Sequence, residues 1–174
     1  QRAGYDGVEL SAIKGMCEHL DLEGRNFDEI KAAQAETGME LLSMEVASLD
    51  EARLILAFEA AKALGVPVVN VGPGGKSDVE EDLAASIEAL AARAKLAAEY
   101  GVILCCKAHV GSSIYNTPTT LKAMAEIKED SFGVDMDPSH IWRAGERPEE
   151  ALPQVLSRVK HIHIRDCKGP GPSP

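Results

Sequence analysis

The sequence predicts an α/β protein, a (β/α)8 TIM barrel of which about six βα units, strands 2 to 7, fall within the chain. Three observations carry this expectation. Short apolar runs rich in β-branched residues alternate with longer amphipathic runs, at the spacing of roughly 30 residues that one strand, helix and connection require. Gly38, Gly65 and Gly101 each fall between a helical run and the next strand, where a left-handed C-cap is wanted. No glycine-rich phosphate fingerprint follows the first strand, since Gly4-Tyr5-Asp6-Gly7 precedes it; this favours a barrel over an open doubly wound sheet. A full barrel takes about 250 residues, whereas this chain has 174, starts at Gln1 without Met and ends in Lys168-Gly-Pro-Gly-Pro-Ser-Pro174, which reads as an interrupted loop. The expectation is a single domain over 1–174, lacking the first and last units of a longer barrel.

The strands are expected at Tyr5–Leu10, Glu40–Val46, Pro67–Val71, Val102–Lys107, Phe132–Asp137 and His161–Arg165. Helices are expected over 27–37, 49–64, 78–99, 118–129 and 148–158. Asn26-x-x-Glu29, Ser48-x-x-Glu51 and Ser77-x-x-Glu80 have the capping-box form. Thr117-Pro118 and Arg147-Pro148 place proline where a first helical turn tolerates it. The alanine-rich runs around 32–35, 54–63 and 84–98 suit helices packed close against a sheet. The outer strands Tyr5–Leu10 and His161–Arg165 would present unpaired edges, so self-association, including a homo-oligomer, is expected.

Composition narrows the function. The chain is 45% hydrophobic and 26% charged, which describes a folded globular protein. Lys and Arg number 18 against 28 Asp and Glu, a net charge of −10, which repels a polyanion and argues against nucleic acid as a partner. No apolar stretch approaches the roughly 20 residues of a membrane span, and the amino terminus shows no signal pattern. Cys17, Cys105, Cys106 and Cys167 form no C-x-x-C pair, so reduced thiols and a cytoplasmic location are expected, with no membrane partner.

Chemistry collects where strands end. Glu9, Asn70, Lys107 and His109, Asp137 and His140, and His163 with Asp166 all follow or finish apolar runs, and in a barrel all those ends share the catalytic face. His161-Ile162-His163-Ile164 alternates, so both imidazoles face one side; if the isoleucines face the helix layer, the histidines point into the lumen, toward Asp137. Asp137-Pro138 also reads as a helix N-cap followed by proline, a role that can coexist with ligand binding. Glu45 faces either the lumen or solvent. Trp142 and Arg143 could form a stacking and anion-binding rim or pack a loop, and Tyr115 reads as a lid contact or a loop anchor.

Taken together, Gly4-Tyr-Asp-Gly-Val-Glu-Leu10, Lys107-x-His109 followed by Asn116-Thr117-Pro118, Asp137-x-x-His140 and His161-Ile-His163-x-x-Asp166 resemble the xylose isomerase-like barrel superfamily, specifically its sugar phosphate isomerase/epimerase group, which shares its fold with type IV AP endonucleases. The resemblance implies a divalent cation, Mn, Mg or Zn, bound by a fifth-strand glutamate, a sixth-strand aspartate, a seventh-strand histidine and an eighth-strand glutamate. Asp137 and His163 match the middle two. It further implies that His140 and His109 touch substrate, that Glu9 is the acidic residue facing the pocket, and that the substrate is a small, sugar-like polyhydroxylated molecule undergoing metal-assisted proton transfer. Asn70 and Trp142 join the candidate substrate contacts, and Asp166 is a candidate to orient His163.

One departure stands out. Lys107 occupies the place of the fifth-strand glutamate, and a protonated amine cannot ligate a cation. It would instead pair with Asp137, hold an anionic substrate group or act as an acid–base group, so Lys107, His140 and Glu9 form the candidate catalytic set. An isomerase or epimerase is the leading expectation. A noncatalytic carbohydrate-binding barrel, favoured by Lys107, and an AP endonuclease-like phosphodiesterase, disfavoured by charge, are the alternatives.

Overall fold

A computed structural model of the protein describes residues 3–165 and 167. In chain order it contains β1 (Gly7–Ile13), β2 (Cys17–Glu18), α1 (Phe27–Thr37), β3 (Glu40–Glu45), α2 (Glu51–Leu64), β4 (Val68–Val71), α3 (Glu80–Tyr100), β5 (Ile103–Lys107), α4 (Thr117–Glu126), β6 (Phe132–Met136), α5 (Pro138–Arg143), α6 (Pro148–Val155), a 3₁₀ turn (Leu156–Arg158) and β7 (Val159–Ile162). The sheet order is β2-β1-β3-β4-β5-β6-β7. Every pairing is parallel except the short β1–β2 hairpin.

This sheet is not flat. Four strand spacings separate β3 from β7, about 19 Å in a flat sheet, yet Ser43 Oγ lies 3.0 Å from His161 Nε2. Glu9 on β1 likewise reaches His163, just past β7, at 2.6 Å. The parallel strands therefore curl into most of a barrel that stays open between β7 and β1, as an incomplete (β/α)8 fold requires.

Strand register sorts the side chains into two faces. Leu10, Met44, Val69, Leu104 and Phe132 are paired neighbours across five strands, and all are buried in the layer between sheet and helices with Leu54, Phe58, Leu90 and Ile127. The opposite parity carries Glu9, Ser43, Glu45, Asn70, Lys107, Asp135 and His161, whose hydrogen bonds to one another place them in the lumen. A buried polar row opposite a buried apolar row is the arrangement in which strand alternation separates function from packing.

Several local expectations are corrected. Asn26 does not cap α1, because its Oδ1 accepts from Asp21 N at 3.1 Å and steadies the preceding loop instead. Asp50, not Ser48, caps α2 through Arg53 N, and α3 begins at an uncapped Val79 rather than at Ser77. The reciprocated capping box lies at Asn116 with Thr119, immediately ahead of α4. Gly38, Gly65 and Gly101 do take the left-handed conformation that ends α1, α2 and α3, with φ of 68°, 73° and 73°. The edge at β1 is partly covered, as Ala12 and Ile13 pair with Glu18 and Cys17. The last strand lies at Val159–Ile162 rather than His161–Arg165. Arg158 fixes its start by donating to the carbonyls of Ile127, Glu129 and Phe132.

Phe58 is fully buried against Tyr100, their ring centroids 5.8 Å apart. Phe58→Ala is expected to lower the free energy of unfolding by about 3–5 kcal/mol in urea titrations. Leu156→Ala, at an exposed site, should stay within about 0.5 kcal/mol of the parent.

Candidate active site

Lumen residues from six strands form one hydrogen-bonded network. Asp135, which has no exposed surface, is its centre. Its Oδ1 accepts from His161 Nδ1 at 3.0 Å and its Oδ2 from His163 Nδ1 at 2.8 Å. The opposite nitrogen of His163 lies 2.6 Å from Glu9 Oε2 and 3.5 Å from Glu45 Oε2. Glu9 Oε1 accepts in turn from Ser43 Oγ at 2.8 Å and from Asn70 Nδ2 at 2.7 Å. Lys107 Nζ donates to Glu45 Oε1 at 2.7 Å and lies 4.0 Å from Asp135 Oδ2. Lys107 and Asp135 are register partners on adjacent strands, so the backbone itself holds them side by side.

The electrostatics follow from this wiring. His163 faces carboxylates through both nitrogens, and its hydrogen bonds to Asp135 and then Glu9 outweigh burial and raise its pKa to about 10. Burial pushes Asp135 upward, but the hydrogen bonds from His161 and His163 and the charges of His163 and Lys107 prevail and hold it at about 2. Glu9 is lowered in the same way: burial opposes ionisation, and the hydrogen bond and charge of His163, then Ser43 and His161, overcome it. Cys105 is pushed up to about 12, chiefly by burial and then by the Asp135 charge, which marks an inert thiol.

A second, more basic cluster adjoins α5. His140 is buried and accepts at Nε2 from Arg165 Nη2 at 2.7 Å, and its ring lies 4.1 Å from that of His109 between centroids. Burial lowers its pKa to about 4; the charges of His109, Arg165 and Arg143 add to this against the opposing pull of Asp137. It is a neutral imidazole at ordinary pH. His109 also borders a hollow of about 400 Å³ shared with Ala47, Ser48, Gly72, Gly74 and Ser112, formed by the loops that follow β3, β4 and β5.

The two residues matched to cation ligands are thus treated differently. His163 sits in the lumen network. Asp137 caps α5, accepting from Ser139 N at 3.0 Å and Ser139 Oγ at 2.5 Å, with Arg165 Nε 3.5 Å away. Asp135, two residues earlier on the same parity, is the carboxylate that faces the histidine pair, because the register sets it opposite His161. Lys107 pairs with Glu45 and Asp135 rather than with Asp137. Trp142 on α5 is half exposed, and Tyr115 is a loop anchor whose hydroxyl donates to Asp78 Oδ1 at 2.6 Å. Asp166 lies outside the described residues. Sequence reasoning missed Ser43, Asp135 and Arg165 and left Glu45 undecided; the parity of the flanking apolar residues was the signal that could have placed Glu45 and Asp135.

Among the described residues, one group has metal-binding geometry: Glu9, His161 and His163, each offering a donor atom within 4.8 Å of the others. The chemistry of the surroundings does not suit a divalent ion. An ammonium stands in the same carboxylate cage, with Lys107 Nζ 2.7 Å from Glu45 Oε1 and 4.0 Å from Asp135 Oδ2.

A parallel barrel with polar strand ends converging on one mouth defines an enzyme-type α/β barrel. The sequence profile described as "Xylose isomerase-like TIM barrel" matches residues 1–173, and the chain belongs to that family. An inosose dehydratase from Klebsiella pneumoniae subsp. pneumoniae is 35% identical over 79 residues, 44% of this chain and 26% of the dehydratase. Among solved structures, 3-keto-D-glucoside 4-epimerase from E. coli superposes with a TM-score of 0.77 at 18% identity, over 95% of this chain and 70% of the epimerase. The IOLI protein with a bound zinc atom gives 0.75 at 21% identity, over 95% and 64%. A family protein from Mycobacterium smegmatis in complex with magnesium gives 0.75 at 16%, over 95% and 63%. The match thus spans about a quarter of the dehydratase and under three quarters of each solved chain. Zinc and magnesium occur among structures of this fold, and no helix among the described residues is long and apolar enough to cross a membrane.

The raised pKa of His163 has a definite sign. A group protonated more tightly when folded contributes stability that is complete below its unfolded pKa of 6.5 and is lost as pH rises toward about 10. In chelator-treated protein the urea midpoint should fall across that window, and the fall should vanish in His163→Gln. A flat profile in the parent would contradict the assignment.

Proposed function

We propose that this chain belongs to an enzyme that moves a proton beside the carbonyl group of a small polyhydroxylated substrate, as in sugar isomerisation, epimerisation or dehydration. The single observation that carries the reading is the convergence of carboxylate, imidazole and ammonium groups from five strands on one barrel mouth, beside a hollow suited to a small ligand.

Each residue has a role in this reading. Glu9, ionised and held by Ser43, Asn70 and His163, is the carboxylate nearest the opening between β7 and β1 and takes the proton. Lys107 stabilises the negative charge that develops on the carbonyl oxygen. His140, neutral and with its acceptor nitrogen held by Arg165, is a positioning residue, and His109 stacked on it presents the polar edge to a substrate hydroxyl. Asn70 orients Glu9, and Trp142 covers the apolar face of the sugar. His163 holds Glu9 and Asp135 in place, while Asp137 positions α5 and, through it, His140. The relatives named as dehydratases and epimerases act on sugars or sugar-like molecules, in keeping with this substrate class. A noncatalytic carbohydrate-binding barrel is the second reading, favoured by the Lys107–Glu45 pair, which ties up two groups that could otherwise react.

Proton–deuterium exchange followed by NMR in D₂O tests both. With inosose, D-fructose and a 3-keto-D-glucoside as probes, the proposal expects exchange at carbon next to the carbonyl with at least one of them. Glu9→Gln should reduce that rate about 10²–10⁴-fold. Ligand-induced shifts without exchange would establish the binding reading, and neither shifts nor exchange would refute both.

A further inference from the structure

We propose that the Lys107 ammonium is the built-in cation of this site, standing within the Glu45–Asp135 carboxylate cage in place of a divalent metal ion, so that the site charges its substrate oxygen without a metal. The cation assignment stands on geometry alone; the role toward a substrate oxygen rests on the proposed function above.

Three carboxylates, Glu9, Glu45 and Asp135, converge in the lumen, and all of their oxygens but Glu45 Oε2 accept a hydrogen bond. Asp135 accepts from two imidazoles, Glu9 from Ser43, Asn70 and His163, and Glu45 from Lys107. A divalent ion would have to displace these donors and then sit close to an ammonium that cannot withdraw. The Lys107 side chain is only 12% exposed, and its strand register beside Asp135 fixes where it emerges. Like charges confined at such a distance in a low-dielectric lumen repel strongly.

The ammonium is also equipped to act. Of its three N–H directions one is used by Glu45, the one hydrogen-bond acceptor it has among the described residues; Asp135 at 4.0 Å neutralises it without hydrogen bonding. Two donors remain for an oxygen on the substrate. A compact point charge with free donors polarises a carbonyl as a Lewis acid does, with one charge instead of two.

The test reads cation content rather than turnover, so it stands or falls independently of whether any sugar is converted. The full chain is prepared in a Cys17→Ser background, because Cys17 Sγ lies 3.1 Å from His19 Nε2 on an exposed hairpin and that pair could take up zinc on its own. After dialysis against chelator, Mn²⁺ and Zn²⁺ are titrated separately by calorimetry, and bound metal is measured by elemental analysis. The proposal expects no stoichiometric uptake by the parent. Lys107→Glu should bind one equivalent, with affinity raised about tenfold or more. Lys107→Gln, which removes the charge without adding a fourth carboxylate, should show the same direction and serves if Lys107→Glu fails to fold. One equivalent bound by the parent and weakened by Glu9→Gln or His163→Ala would overturn the proposal. So would folded Lys107→Glu and Lys107→Gln proteins that bind no better than the parent.

Discussion

Buried carboxylates must be neutralised, and that requirement organises this molecule. Glu9, Glu45 and Asp135 occupy the lumen of a parallel sheet, where an uncompensated charge costs several kcal/mol. Compensation comes from His161 and His163 at one edge of the sheet and from Lys107 near its middle. Because Glu9 lies on the first strand and His163 just past the last, their hydrogen bond spans the opening, and the same contact that balances charge also draws the two edges of the curled sheet together. Apolar packing between sheet and helices supplies the bulk of stability.

The fold was legible because its signals are redundant. Six apolar or mixed strand runs and three helix-ending glycines recur at one spacing, and any one could fail without changing the architecture. The individual helix starts were less legible. Asn26 and Ser77 carry capping-box spacing, yet the loops before α1 and α3 offered Asn26 a nearer backbone amide and left Ser77 outside its helix. The last strand was misplaced by two residues because Val159 and Lys160 are set by Arg158 and its contacts with three distant carbonyls, which no local pattern reveals.

The candidate site was legible as a set of strand ends and illegible as a set of partners. Asp135 and Asp137 share parity, and sequence alone does not decide which lies opposite the histidine pair. The register, with a shift between Val134 and Asp135, selects Asp135, while Pro138 turns Asp137 into a helix cap. Glu45 faces the lumen because Met44 and Val46 on either side of it pack toward the helices, a parity the apolar flanks already carry. The family consists of barrels of this type, and in this chain a lysine stands among the acidic and imidazole groups at the mouth.

The Glu9–His163 contact across the opening is an energetic bond between the two ends of the sheet. A double-mutant cycle on Glu9→Gln and His163→Gln, read by urea unfolding at neutral pH, measures it most directly. A coupling energy of about 1–3 kcal/mol is expected for a partly buried charge-assisted hydrogen bond. Single effects that add to within about 0.5 kcal/mol would contradict it.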